Sequence, residues 1–169
     1  MKLLPSIAFI VLLSAALSCT QTNLFEKTAV IPGHSWKSSF KPGFTFSITN
    51  TTAQYTLYLI IRHNDRYSFN NIYVNLHVKG PGQDTTQVVP FDMRLGTDES
   101  GWLGSGMDDI YEHRHAITPL TGVKFRKPGD YTYTIEQIMR QDPLENVLNA
   151  GIRIEKKQTA SCRTKAKKD

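Results

Sequence analysis

Short runs of alternating hydrophobic and polar residues, separated by turn residues, cover most of the 169-residue chain. Such alternation is typical of β-strands, because successive side chains on a strand point to opposite faces. The clearest runs are 44–48, 55–61, 72–78, 131–135 and 151–155. Several short strands joined by turns predict an all-β domain, an antiparallel β-sandwich of the jelly-roll or immunoglobulin-like type.

Two segments add detail to this pattern. The run 55–61 is bulky on both faces, which predicts a central strand buried on one side and covered by aromatic side chains on the other. Asp142-Pro143-Leu144-Glu145 combines a capping residue, a proline at the first helical position and a glutamate three residues after the cap. Leu144, Val147 and Leu148 follow at helical spacing, so we expect one short helix near residues 143–149.

The amino terminus predicts export. Lys2 precedes a mostly apolar run of signal-peptide length, shorter than the roughly 20 residues that span a bilayer. Ala16-Leu17-Ser18-Cys19 resembles a bacterial lipobox, in which Cys19 becomes the lipidated first residue of the mature protein. The alternative is ordinary secretion with cleavage before Cys19, which leaves that thiol free to pair with Cys162.

These features divide the chain into four parts. They are a lipoprotein signal peptide at 1–18, a lipidated tether at 19–27, the β-sandwich domain at 28–155 and a disordered basic tail at 156–169. The formal net charge of +5 belongs to the tail, while residues 20–155 carry a net charge of −1. A nucleic-acid-binding domain concentrates its charge on the folded surface, so we exclude nucleic acid as a partner. The tail is either solvated without function or attracted to anionic headgroups or acidic glycans.

The most unusual segment of the domain is Gly101-Trp102-Leu103-Gly104-Ser105-Gly106. A tryptophan flanked by glycines either plugs the core at tight turns or offers a stacking platform to a sugar or a protein partner. Both interpretations stay open here. The candidate interaction residues are Trp102, Gly101, Gly104 and Gly106.

The sequence gives little support for a metal site or a catalytic site. The acidic residues between Asp92 and Glu112 lack the spacing of a calcium loop, and we expect a solvated loop there. His113 and His115 would share a strand face, but no third zinc ligand can be named, and we expect all five histidines to lie on the surface. Without a Gly-x-Ser-x-Gly or His-Glu-x-x-His motif, we predict no enzyme, no metal and no cofactor.

Four ordered blocks carry a resemblance to a known family. They lie at 58–72, 101–106, 128–140 and 151–155. With the lipobox, they make the chain similar to the gliding motility lipoprotein GldH family of the Bacteroidetes. The resemblance implies a lipid-anchored, non-enzymatic component of the gliding machinery, linked to type IX secretion, with protein partners in that machinery.

Two further expectations follow from the same resemblance. No acidic cluster follows Cys19, so the surface-export signal of such bacteria is missing and we expect an outer-membrane anchor with the domain facing the periplasm. Asp84-Thr85-Thr86 resembles the O-glycosylation acceptor triplet of that phylum, with Thr85 as the acceptor in a predicted loop.

One alternative function remains, a glycan-binding β-sandwich module. Sandwich domains often bind sugars on exposed aromatic side chains, although this argument rests on fold-level analogy. The candidate platforms are Tyr55, Tyr58, Tyr73 and Trp102.

Overall fold

The computed structural model describes residues 23–157, and this part of the chain is all-β, as the alternation predicts. One sheet has five strands in the order β1-β13-β4-β10-β9, and the other has four in the order β3-β11-β5-β6. Two short pairs, β2 with β12 and β7 with β8, complete the pairing, which is antiparallel throughout. The strands are β1 (Asn23–Val30), β2 (Ser35–Trp36), β3 (Gly43–Ile48), β4 (Tyr55–Asn64), β5 (Asn71–Lys79), β6 (Gln87–Arg94), β7 (Gly96–Thr97), β8 (Gly101–Trp102), β9 (Ser105–Met107), β10 (Ile110–Ala116), β11 (Gly129–Gln137), β12 (Leu144–Glu145) and β13 (Val147–Lys156).

The two larger sheets enclose one hydrophobic core in a sandwich-like arrangement. Alternation is strictest in β3, where Phe44, Phe46 and Ile48 are buried and the residues between them are exposed. Aromatic rings join the sheets, since Phe25 of β1 lies 5.7 Å from Phe46 between ring centroids. Burial of these large side chains removes apolar surface from water, which is the dominant favourable term in folding. The predicted all-β antiparallel sandwich is therefore confirmed.

The outer face of the central strand β4 carries aromatic and charged side chains. Its inner face is apolar, and on its outer face Ile60 is fully buried, with Tyr58 two residues away on the same face. Arg114 of β10 lies opposite Ile60 in the strand register and reaches across β4 and β13 to Glu26 of β1, with 3.5 Å between Nη2 and Oε1. Arginine stems can shield apolar surface while their charged heads stay in water. Continuous ion pairs link Arg62, Glu112, Arg114, Glu26, Arg153 and Glu155.

The short helix expected near residues 143–149 is absent from the structure. Asp142 does not cap a helix, because its carboxylate accepts hydrogen bonds from the backbone N–H and the hydroxyl of Ser38, at 2.9 and 2.5 Å. The Asp142–Pro143 peptide bond is cis, β12 and β13 begin directly afterwards, and Asn146 turns the chain with a φ of 68°. The spacing of Leu144 and Val147 reflects two buried residues on either side of this turn.

The folded domain begins earlier than the sequence suggests. Residues 23–27, assigned above to the tether, belong to β1 and pair with β13. Glu26 of this segment pairs with Arg153 of β13. The predicted tail begins two residues too early at 156, since Lys156 ends β13 and the backbone N–H of Lys157 donates to the carbonyl of Gln54. The predicted signal peptide, Cys19, Cys162 and the rest of the predicted tail lie outside the described residues. Within 23–157, no helix has the length and apolar character needed to cross a bilayer.

Strand directions give the sandwich two distinct ends. Asn23, where β1 begins, lies opposite Glu155 near the end of β13, and we call this the basal end. The apical end lies at the other extreme, where β1 ends and β13 begins. It carries the connections 31–42, 65–70, 95–109 and 138–146.

Gly151 permits the close approach of β1 to β13 and provides a test of this packing. A Cβ atom at this position would lie 2.5 Å from both the carbonyl oxygen of Lys27 and Cγ2 of Thr28. Because backbone must move to relieve this overlap, we expect Gly151→Ala to destabilise the domain by about 1–3 kcal/mol in urea unfolding. Gly43→Ala is the control, since its Cβ meets only the hydroxyl of Thr134 at 3.3 Å. Equal stability of the two variants would contradict this account.

Candidate functional site

The apical connection 95–109 folds back against the edges of both sheets and forms the most distinctive surface of the domain. The Leu103 N–H donates a hydrogen bond of 2.9 Å to the Leu95 carbonyl, and Gly96 pairs with Trp102. β9 then extends the five-stranded sheet beside β10. This path brings Trp102 and the following glycines next to residues of β4 and β10.

Two buried histidines lie at the centre of this region. His63 of β4 and His113 of β10 are almost inaccessible to solvent, and their Nε2 atoms are 2.9 Å apart. Nδ1 of His63 lies 2.7 Å from the carbonyl oxygen of Asn64. A carbonyl can only accept, so this Nδ1 carries the proton, and in neutral His63 the Nε2 atom must accept from Nε2–H of His113. The hydrogen bonds thus assign a tautomer to each neutral ring.

Burial keeps this pair uncharged near neutral pH. It lowers the pKa of His63 below its ordinary value, because an imidazolium is poorly solvated in the protein interior. The pKa of His113 is lowered to about 4, through burial and then through repulsion from the neighbouring His63. The same environment raises the pKa of Tyr67, whose ring lies 5.0 Å from that of His63. The pair is therefore a neutral, hydrogen-bonded polar element within the core.

Trp102 covers the histidine pair. Its ring packs edge-on against His63, with 4.4 Å between centroids, and also lies 5.9 Å from the ring of Tyr111. The ring is partly buried and contacts the hydrophobic core. The packing matches the interpretation of Trp102 as a plug, since much of the face that a sugar would need is occupied by protein.

Two glycines of this segment allow the loop to pack closely against His113 and Tyr111. A Cβ atom on Gly104 would lie 2.8 Å from Nε2 of His113, and one on Gly106 would lie 2.8 Å from the ring of Tyr111. Gly101 has open space around it but a φ of +66°, which favours glycine. Gly104 and Gly106 thus allow the loop to approach the histidines, and Gly101 allows it to turn.

A groove of about 670 Å³ opens beside the loop, between the edges of the two sheets. Its chemistry is mixed, with apolar, basic, acidic and imidazole side chains. On the strands, β6 contributes Met93 and Arg94, and β10 contributes residues 112–115. Leu103, Gly104 and Ser105 form the remaining wall. At one side His115 packs against Phe91 of β6, with 5.5 Å between ring centroids.

Two features make this groove suited to a protein partner. β9 pairs only with residues 110–112 of β10, so in the described part of the chain the outer edge of β10 has no strand neighbour from His113 onwards. Large apolar side chains are exposed in and near it, since Leu103 of the groove wall is 52% exposed, and Met107 and Ile110, which lie opposite each other in β9 and β10, are 78% and 40% exposed. Unpaired strand edges with apolar neighbours are a common docking mode for extended peptides.

The other predicted positions lie apart from this groove. Thr85 is exposed in the connection between β5 and β6, as expected for that loop. Tyr55 is buried in the core, Tyr58 lies on the outer face of β4, and Tyr73 is exposed on β5, so the tyrosines form no common sugar platform. No three His, Cys, Asp or Glu side chains converge on a possible metal position within residues 23–157.

The prediction that all histidines lie on the surface was wrong for His63 and His113. Leu57, Leu59 and Ile61 face the core on β4, and His63 continues the same alternation two residues further on. The alternating run 55–61 predicts a strand that ends at residue 61, two residues before His63. Extending the period-two pattern to Asn64 is the signal that could have identified His63 as an inward-facing residue.

Comparisons with known proteins agree on one family. The sequence model of the family described as GldH lipoprotein matches residues 23–154, nearly the same range as the folded domain. The chain is 29% identical over 147 residues to the gliding motility lipoprotein GldH homolog of Christiangramia forsetii, covering 82% of this chain and 87% of that protein. It is 27% identical over 157 residues to the gliding motility lipoprotein GldH of Flavobacterium johnsoniae, covering 88% and 95%.

The histidine pair predicts a pH-dependent stability. The folded pKa of His113, about 4, lies below the ordinary value of 6.5, so the unfolded chain binds its proton more readily. This contribution is complete above pH 6.5 and declines as the pH falls towards 4, by about 3 kcal/mol if His113 alone titrates. We expect the free energy of unfolding to fall in denaturant titrations across this window.

A histidine variant distinguishes the contribution of His113 to this pH dependence of stability from the contribution of the carboxylates. Hydrogen bonds from Lys41 and His77 lower the pKa of Glu136 from 4.5 to about 2, so its contribution is lost only below pH 4.5. His113→Gln should therefore flatten the slope between pH 6.5 and 4.5, whereas His115→Gln, at an exposed position on the same strand, should retain it. An unchanged slope in His113→Gln would exclude His113 as its source.

Proposed function

Because the chain belongs to the GldH lipoprotein family, we propose that it is a lipid-anchored component of the gliding motility machinery, linked to type IX secretion. It acts there by binding proteins and without catalysis. Cys19 anchors it in the outer membrane, with the β-sandwich facing the periplasm. The gliding motility names of both relatives support this assignment.

The observation that best supports a role in binding proteins is the groove beside the connection 95–109, which we call the apical groove. The exposed side chain of Leu103 lines this groove beside an unpaired segment of β10, exposed Met107 lies on the adjoining β9, and the buried histidine pair packs against the loop that carries both residues. Both ring nitrogens of His63 already have hydrogen-bond partners, so the pair positions the loop and leaves no free base on that ring. A rigid surface of this kind binds a partner with little loss of conformational entropy.

Two covalent modifications belong to this proposal, acylation of Cys19 and O-glycosylation of Thr85. Peptide mass spectrometry of the protein from its native bacterium should detect a diacylglyceryl, N-acylated amino-terminal Cys19 and a glycan on Thr85. Cys19→Ser and Thr85→Ala each remove one of these masses. An unmodified Cys19 in a disulfide with Cys162 would instead establish ordinary secretion, and an unmodified Thr85 would remove the glycosylation proposal.

Depletion of the protein tests the functional assignment itself. We expect loss of type IX cargo from the cell surface and medium, measured by quantitative proteomics, and loss of spreading in a gliding strain. Restoration by the wild-type chain is the reference for the variants described next. An unchanged cargo profile after complete depletion would contradict the secretion link.

Complementation with groove variants tests the site within the same assay. Leu103→Ser combined with Met107→Ser alters two exposed side chains, so the fold should persist while restoration fails. Val30→Ser is the control, since Val30 is 68% exposed on β1, at the other edge of the five-stranded sheet. Full restoration by the double variant at wild-type protein levels would exclude this groove as the contact.

A further inference from the structure

The two ends of the sandwich carry opposite charge, which the net charge of the domain conceals. The four apical connections contain seven acidic residues against four lysines and arginines. The basal connections at 49–54, 80–86 and 117–128, with the end of β13, contain two acids, Asp84 and Glu155. Against them stand five basic residues, Lys124, Arg126, Lys127, Lys156 and Lys157.

The basal basic residues belong to two segments that are held together. The backbone N–H of Lys157 donates to the carbonyl of Gln54 at 2.8 Å, and its Nζ donates to the carbonyl of Leu120. Tyr55 and Val123 exchange two backbone hydrogen bonds of 2.8 Å beside them. The connection 117–128 is therefore fixed next to the end of β13, and its charges form one surface with those of Lys156 and Lys157.

An exposed leucine lies within this basic surface. Leu120 is 70% exposed and follows Pro119 at the tip of the basal connection. An apolar side chain surrounded by lysine and arginine suits the boundary between lipid headgroups and acyl chains, where apolar burial and electrostatic attraction act together.

Chain connectivity brings the proposed anchor to the same end. Cys19 precedes Asn23 by four residues, so an extended connection of about 3.5 Å per residue reaches at most about 14 Å. Asn23 lies opposite Glu155, beside the exit of the chain towards residues 158–169. That sequence adds four basic residues and one acid. An acylated Cys19 would thus hold the basal end, and no other part of the domain, close to a bilayer.

We propose that the basal surface, formed by Leu120, Lys124, Arg126, Lys127, Lys156 and Lys157, docks on anionic phospholipid headgroups and holds the domain upright on the membrane. Its orientation rests on the proposed lipid anchor, while its charge and its exposed leucine do not. The apical groove then points away from the bilayer, and its acidic surroundings are repelled from it. The other occupants of a basic surface, free phosphate or a soluble polyanion, are outcomes of the test below.

Amide hydrogen exchange of the full processed protein tests the docking directly. The protein is reconstituted in vesicles of phosphatidylcholine alone or mixed with phosphatidylglycerol. We expect exchange in residues 118–127 to be at least several-fold slower in the mixed vesicles, with no change in residues 98–109. The difference should vanish at about 1 M salt, where the Debye length is about 3 Å. Equal exchange in both vesicles, or equal protection by inorganic phosphate without vesicles, would overturn the proposal.

Matched charge variants identify the surface. At about fivefold per basic residue near an anionic bilayer, Lys124→Gln, Arg126→Gln and Lys127→Gln together should weaken the docking by roughly 100-fold. Leu120→Ser should also reduce the protection. The control replaces the exposed apical residues Lys37, Arg66 and Arg140 with glutamine, removes the same charge and should leave the protection intact. Equal losses in both triple variants would show that only net charge matters and would overturn the assignment to the basal surface.

The same samples separate this inference from the proposed function. Retention on pure phosphatidylcholine vesicles reports the lipid anchor, whereas the additional effect of phosphatidylglycerol reports the basal surface. If the protein leaves phosphatidylcholine vesicles but binds the mixed ones in a salt-sensitive way, the docking surface stands and the anchor does not. Retention without any effect of phosphatidylglycerol supports the anchor and refutes the docking.

Discussion

The antiparallel pairing of β1 with β13 is the constraint on which much of this structure depends. It requires a close backbone approach, and Gly151 permits it because a side chain there would collide with Lys27 and Thr28. The pairing places Glu26 within reach of Arg153 and Arg114, which completes the ion pairs over the outer face. It also brings the beginning and the end of the folded domain to one place.

The outer ion pairs show how a charged surface can serve packing. Individually, partly exposed pairs such as Arg114–Glu26 contribute little to the free energy of folding. Arg114 lies opposite Ile60 in the register of β10 against β4, so its stem can shield this fully buried side chain while its charged head stays at the surface. The histidine pair solves the related problem inside the sandwich, because each polar ring gives the other a hydrogen bond that burial would otherwise remove.

The sequence predicted the fold class more fully than the site, for physical reasons. Alternation identified β3, most of β4, β5 and β11, since period two directly reports which side chains face the core. The segment 142–148 carried a complete helix-start pattern, but Asp142 bonds to Ser38, a partner more than 100 residues away that no local pattern reveals. The His63–His113 contact is likewise a pairing between distant strands, and only the register of β4 against β10 creates it. The block around Trp102 is unusual in sequence, but its packing partners, His63 and Tyr111, lie on distant strands that only the structure brings together.

The distribution of charge on the folded surface, like the histidine contact, depends on which distant parts of the chain come together. Along the sequence, the net positive charge lies in residues 156–169, and residues 20–155 are nearly neutral. Folding sorts the charges of residues 23–157 into a basic end and an acidic end, because antiparallel connections alternate between the two ends of the sandwich and because Lys156 and Lys157 join the basal end. A net charge of −1 between residues 20 and 155 therefore says little about how the surface acts on its surroundings. Since the field near a surface is set by charges within about a Debye length, each end acts by its own sign. A single attachment at the basal end then suffices to give the domain an orientation, because the membrane attracts one end and repels the other.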